Sequence, residues 1–130
     1  MKIFWFFLVL IASGNAFPDS IHQNKILVMS ASNVKTSAAE KLKFDEISTF
    51  ITERCKNRRF VRISIQKGEK WGSNGEDLDF LRKKIIDSAG LEGNQVFSAP
   101  GETSSAFLRR NDLWELTLKV KNPAVVEVFC

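Results

Sequence analysis

The chain lacks the residues that most catalytic and metal sites require. Histidine occurs once, as His22, and cysteine occurs twice, as Cys55 and Cys130. A catalytic histidine needs a positioned nucleophile and an orienting carboxylate, and a zinc ion needs several ligands close together. Glycine-rich phosphate-binding motifs and a Cys-x-x-Cys motif are also missing. We therefore predict no catalytic residue, no metal site and no cofactor, and we favour a non-catalytic protein.

Tyrosine, glycosylation sequons and long internal apolar runs are absent as well. Because aromatic side chains are the platforms on which bases stack, the lack of tyrosine argues against nucleic acid as a partner. Without an Asn-x-Ser/Thr sequon, N-glycosylation is not expected. No run after the N-terminus approaches the ~20 apolar residues of a membrane-spanning helix, so we predict no transmembrane segment.

The one long apolar run stands at the N-terminus. A positive start is followed by Ile3–Ala12, which is apolar throughout, and then by small residues up to Ala16. This order is typical of a secretory signal peptide cut before Phe17, whereas a membrane anchor would need about twice as many apolar residues. We predict that residues 1–16 are removed and that residues 17–130 form a single, secreted, extracellular domain.

Hydrophobic periodicity predicts an α/β or α+β domain. Lys25–Ala31 is nearly continuously apolar, which favours a strand that is central, buried on both faces and parallel to its neighbour. Apolar residues three and four apart predict helices over Ala38–Cys55 and Leu78–Ala89. Alternation predicts a strand over Phe60–Gln66, and a shorter one is expected over Gln95–Ala99.

The C-terminal part predicts an antiparallel hairpin. Trp114–Val120 alternates apolar and polar residues, Asn122-Pro123 is typical of a turn, and Ala124–Phe129 is largely apolar and β-branched. The complete order is β-α-β-α-(β)-β-β. We predict a two-layer sandwich in which the helices cover one face of a mixed sheet.

The two cysteines suit one intramolecular disulfide in an oxidising compartment. A Cys55–Cys130 bridge would tie the end of the first helix to the chain terminus. For a loop of this length, the chain-entropy model gives a stabilisation of up to about 4.5 kcal/mol. The alternative is that the terminal Cys130 links two chains. The protein is thus predicted to be a monomer or a disulfide-linked dimer.

The densest positive charge follows the first helix, in a chain whose formal net charge is +4. The cations in question are Arg54, Lys56, Arg58, Arg59 and Arg62. Arginine pairs well with sulfate, phosphate and carboxylate groups, which predicts an anionic glycan, a lipid surface or an acidic protein as the partner. Cations at a helix C-terminus also complement the helix dipole without any partner. Phe60, beside the run, is predicted to belong to the core.

A second candidate is an anion-binding loop between the first strand and the first helix. Its polar residues are Ser32, Asn33, Lys35, Thr36 and Ser37. Loops after parallel strands bind ligands in open α/β sheets, and helix N-termini attract anions. An ordinary polar connection with a helix cap explains the same residues.

The hypothesis favoured by these features is a small secreted binding or effector module that uses its basic residues to engage an anionic partner. A second hypothesis is a small secreted hydrolase with a carboxylate-based site in the loops Ser30–Ser37 and Lys67–Gly75, since histidine is nearly absent. A third is an extracellular structural protein that dimerises through Cys130.

Overall fold

The computed structural model describes residues 23–31, 38–68 and 75–130. The segment predicted to be a signal peptide lies outside these residues, together with His22 and the loops 32–37 and 69–74. Within the described residues the protein is α+β, with a four-stranded mixed sheet and four α-helices. The predicted fold class, a two-layer sandwich built on a mixed sheet, is confirmed.

In residues 23–31, 38–68 and 75–130, helices and strands follow one another in the order β-α-β-α-β-α-α-β. The strands are β1 (Asn24–Ser30), β2 (Arg62–Gly68), β3 (Val96–Thr103) and β4 (Pro123–Phe129). The helices are α1 (Ala38–Arg54), α2 (Gly75–Ala89), α3 (Ser105–Arg110) and α4 (Trp114–Lys119). Two 3-10 helices, Arg58–Phe60 and Gly93–Gln95, precede β2 and β3. In the described part of the chain, every helix is too short or too polar to cross a membrane.

The C-terminal strand lies inside the sheet, whose order is β1-β4-β2-β3. β4 pairs antiparallel with both β1 and β2, while β2 and β3 are parallel. β1 and β2 therefore run in the same direction but are separated by β4. The prediction that the first strand is central and parallel to its neighbour is wrong, because β1 is an edge strand with an antiparallel partner.

β1 is nevertheless buried on both faces. Leu27 and Met29 belong to the main core, whereas Val28 packs with Leu108 and Val125 in a second cluster. Because successive strand residues point to opposite faces, this second cluster lies across the sheet from the main core. The apolar run of β1 thus reflects cover by α3 and α4 on that face rather than a central position.

The predicted C-terminal hairpin is wrong, because its first arm is the helix α4. Leu116 and Leu118, which a strand would have placed on one face with Trp114, are 37% and 69% exposed. Six helical residues are too few for the helical period to stand out from simple alternation. Both edges of β4 are already occupied by β1 and β2, so no hairpin partner can pair with it.

The main core lies between the sheet and the two long helices, which form the two layers of the predicted sandwich, whereas the short helices α3 and α4 pack on the other face of the sheet. The helices contribute apolar residues at helical spacing: Phe44, Ile47, Ile51, Leu81 and Ile85. The strands contribute alternating residues, among them Ile63, Ile65, Val126 and Val128. α2 stops at Gly90, whose φ of 68° suits glycine at a helix C-terminus.

The two cysteines are brought to disulfide-bonding distance. The Sγ atoms of Cys55 and Cys130 are 2.08 Å apart, and their Cα atoms are 5.8 Å apart across a sequence separation of 75. Neither cysteine is free, which favours the intramolecular pairing over a link between chains. The pair joins the end of α1 to the residue after β4.

Candidate functional site

The five predicted cations lie between the last residue of α1, Arg54, and the first residue of β2, Arg62, inclusive, and we call residues 54–62 the basic turn. The side-chain oxygen of Asn57 accepts a hydrogen bond from the Arg59 amide at 2.9 Å and so caps the 3-10 helix. The Val61 amide donates to the Arg58 carbonyl at 3.2 Å. The main chain of the basic turn is therefore fixed by its own hydrogen bonds.

Two of the five cations are used to support main-chain carbonyls. The Arg58 guanidinium donates from Nη2 to the carbonyl of Ala89, at the end of α2. Arg62 donates from Nη1 to the carbonyls of Arg59 and Val61, at 2.9 and 2.8 Å. Carbonyls at a helix end lack partners within the helix, so these contacts satisfy groups that would otherwise need water. Arg58 and Arg62 thus have a structural role in addition to their charge.

The other three cations are exposed, and none has an acidic partner in the part of the chain that the structure describes. Arg54, Lys56 and Arg59 all lie at the surface. The salt bridges between described residues, Lys25–Glu46 and Lys67–Glu102, lie outside the basic turn. Within the described residues, no carboxylate is within salt-bridge distance of any cation of the basic turn, so its positive charge is not neutralised by an ion pair.

A buried glutamine holds the basic turn from beneath. Gln95 is 8% exposed, and its Nε2 donates to the carbonyls of Arg58 and Val61 at 2.7 and 3.1 Å. Its Oε1 accepts from the Glu92 amide at 3.0 Å. No sequence signal identifies Gln95, because a single glutamine in a turn-rich segment has no period or motif.

A sixth cation approaches the same end of the molecule from α2. Arg82 donates from Nε to the Val96 carbonyl at 2.7 Å and from Nη2 to the Gly93 carbonyl at 2.5 Å. The 3-10 helix Gly93–Gln95 is the element that supports the basic turn, so Arg82 adds positive charge beside it. On a helix pattern alone, Arg82 is indistinguishable from any solvated cation.

Phe60 is exposed, and the prediction that it belongs to the core is wrong. Its side chain is 67% exposed, whereas the next residue, Val61, is fully buried. The 3-10 helix turns the chain just before β2, so that Val61 enters the core and Phe60 stays outside. The basic turn therefore presents an apolar ring among its cations.

The predicted anion loop, residues 32–37, lies outside the described residues and stays a prediction. At the end of β1 the described residues line a cavity of about 310 Å³. Its lining residues are Val28, Met29, Ser30, Ala39, Glu40, Lys43, Lys119, Val120 and Lys121. Lys43 is distant in the chain from Lys119 and Lys121, so no local pattern identifies the three lysines as one group.

The hydrolase hypothesis concerns loops that are largely outside the described residues. Residues 32–37 and 69–74 make up most of the two segments where its carboxylate site was placed. In the part of the chain that is described, no group of three or more histidine, cysteine, aspartate or glutamate side chains is arranged to hold a metal ion.

Comparison with known proteins assigns no family to this chain. No protein-family model matches the sequence, and a search of curated proteins finds no significant match. Function must therefore be inferred from the residues and their arrangement.

Proposed function

We propose that the protein is a small secreted binding module whose basic turn engages an anionic partner. The observation that carries this proposal is the exposure of Arg54, Lys56 and Arg59 without an acidic partner among the described residues, on a turn that the fold holds in place. These three exposed cations are concentrated within six residues of the chain. An external anion would complete the charge pairing that the fold leaves open.

The rigidity of the basic turn supports this proposal. Its main chain donates to the Asn57 side chain and accepts from the Gln95 side chain, and Arg58 donates to the end of α2, so the turn is held before any partner arrives. A preorganised surface loses less conformational entropy on binding, so more of the electrostatic attraction appears as affinity. Because exposed charges are screened over about 8 Å at physiological ionic strength, binding should weaken as salt is added.

Secretion is the second part of the proposal. It is supported by the N-terminal pattern of charge, apolar run and small residues, and by the pairing of both cysteines. Disulfides persist in oxidising compartments such as the extracellular space. Extracellular partners with a high density of negative charge include sulfated glycans, anionic lipid surfaces and acidic proteins.

Heparin chromatography of protein made from the full chain in a secretory host tests the proposal. We expect the wild type to be retained on the column. The triple variant Arg54→Gln, Lys56→Gln, Arg59→Gln should elute at a lower salt concentration than the wild type. This variant leaves the structural Arg58 and Arg62 intact. A matched triple variant, Lys41→Gln, Lys83→Gln, Arg110→Gln, removes the same charge from exposed positions on α1, α2 and α3. Equal elution of the two variants would mean that net charge alone, and not the basic turn, governs retention.

A further inference from the structure

We infer that the anionic partner is a lipid bilayer, with Phe60 entering its interfacial region while Arg54, Lys56 and Arg59 contact the headgroups. This inference rests on the proposed function of the basic turn and specifies its partner. The ring of Phe60 is 67% exposed and carries no polar group that could hydrogen-bond to a ligand. Transfer of such an apolar ring from water into an apolar phase is favourable.

The exposure of Phe60 is imposed by the structure around it. The residue before it is capped by Asn57, and the residue after it, Val61, is fully buried in the core. The carbonyls of Arg58 and Val61, on either side of the ring, are both held by Gln95. These contacts hold the main chain on both sides of Phe60 in the conformation that leaves its ring exposed.

The surrounding charge selects the kind of apolar phase. Arg54 and Phe60 are six residues apart, so their Cα atoms are within ~20 Å of each other. Residues 53–62 hold one carboxylate, Glu53, beside the five cations of the basic turn. A bilayer with anionic lipid offers negative headgroups above a hydrocarbon layer, and so matches both the cations and the ring. A sulfated glycan matches the cations but offers the ring no hydrocarbon layer.

Vesicle co-sedimentation tests this inference, with vesicles of phosphatidylcholine mixed with phosphatidylserine compared with phosphatidylcholine alone. We expect binding to the anionic vesicles only. Phe60→Ala should weaken that binding about tenfold, because a buried phenylalanine ring contributes about that factor. The triple variant of Arg54, Lys56 and Arg59 should weaken it on the order of 100-fold, since each cation near the surface contributes roughly fivefold.

Phe80→Ala is the matched control, because Phe80 is 40% exposed on α2 and lies outside the basic turn. This variant should bind anionic vesicles as the wild type does. Phe60→Trp adds a direct readout: lipids brominated on their acyl chains should quench the fluorescence that this tryptophan adds to the wild-type signal. Unchanged binding by Phe60→Ala, or an added signal that the brominated lipids do not quench, would overturn the lipid inference.

The two proposals can fail separately. If the wild type is retained on heparin through the basic turn but does not sediment with anionic vesicles, the lipid inference is wrong and the proposed function stands. If neither heparin nor vesicles distinguish the triple variant from its matched control, the proposed function is wrong as well. Phe60→Ala should elute from heparin as the wild type does, since the variant changes no charge.

Discussion

Gln95→Leu should destabilise the protein by about 2 kcal/mol, because the substitution removes the support of the basic turn. The amide of Gln95 makes three hydrogen bonds, two to the carbonyls of Arg58 and Val61 and one from the Glu92 amide. Each such bond contributes about 1 kcal/mol net. The loss of stability is smaller than the sum of the three bonds because neither carbonyl is left without a donor. The Arg58 carbonyl still accepts from the Val61 amide, and the Val61 carbonyl still accepts from the Arg62 side chain.

Urea unfolding followed by circular dichroism, with the cysteines kept oxidised, measures this loss. Asn94→Leu is the matched control, since Asn94 is exposed next to Gln95 and should change the free energy of unfolding by less than about 0.5 kcal/mol. Gln95→Glu should cost at least as much as Gln95→Leu, because it turns the donor into an acceptor that faces two carbonyl oxygens. A Gln95→Leu protein as stable as the Asn94→Leu protein would refute the role assigned to Gln95.

Three further predictions concern the cysteines, the core and the N-terminus. Replacing Cys55 and Cys130 together with serine should lower the free energy of unfolding by up to about 4.5 kcal/mol, and the wild type should migrate as a monomer on reducing and non-reducing gels; a dimer seen only without reductant would contradict the pairing. Ile63→Ala, at a fully buried position, should cost about 2–5 kcal/mol in urea unfolding. Leu118→Ala should cost less than about 0.5 kcal/mol, and comparable losses for the two would refute the assigned core. Mass spectrometry of the secreted protein should find Phe17 as the first residue; an intact N-terminus would rule out the predicted cleavage.

The long elements of the fold were predictable from the sequence, because each repeats its pattern several times. α1 places Phe44, Ile47 and Ile51 in the core at helical spacing, and β2 buries Ile63 and Ile65 by alternation. Such patterns report which face of an element is buried. They do not report which neighbour buries it, and the position of β1 at the edge of the sheet was missed for that reason.

The short elements and the site were less predictable. The six residues of α4 fit the helical period as well as the alternation of a strand. A strand at this position is excluded because β1 and β2 already occupy both edges of β4. The cations of the basic turn are evident in the sequence, but their division into structural and exposed groups depends on contacts with Ala89 and Gln95, which are distant in the chain. The exposure of Phe60 depends on the same contacts.

The most direct test of the central claim is to map, residue by residue, where an anionic probe binds. A ¹⁵N-labelled sample titrated with a short heparin oligosaccharide provides this map from the backbone amide shifts. We expect the largest shifts in residues 54–62 and in the adjoining Gly93–Gln95, with the shifts disappearing as salt is added. Shifts confined to the cavity lined by Lys43, Lys119 and Lys121, with the basic turn unaffected, would contradict the claim.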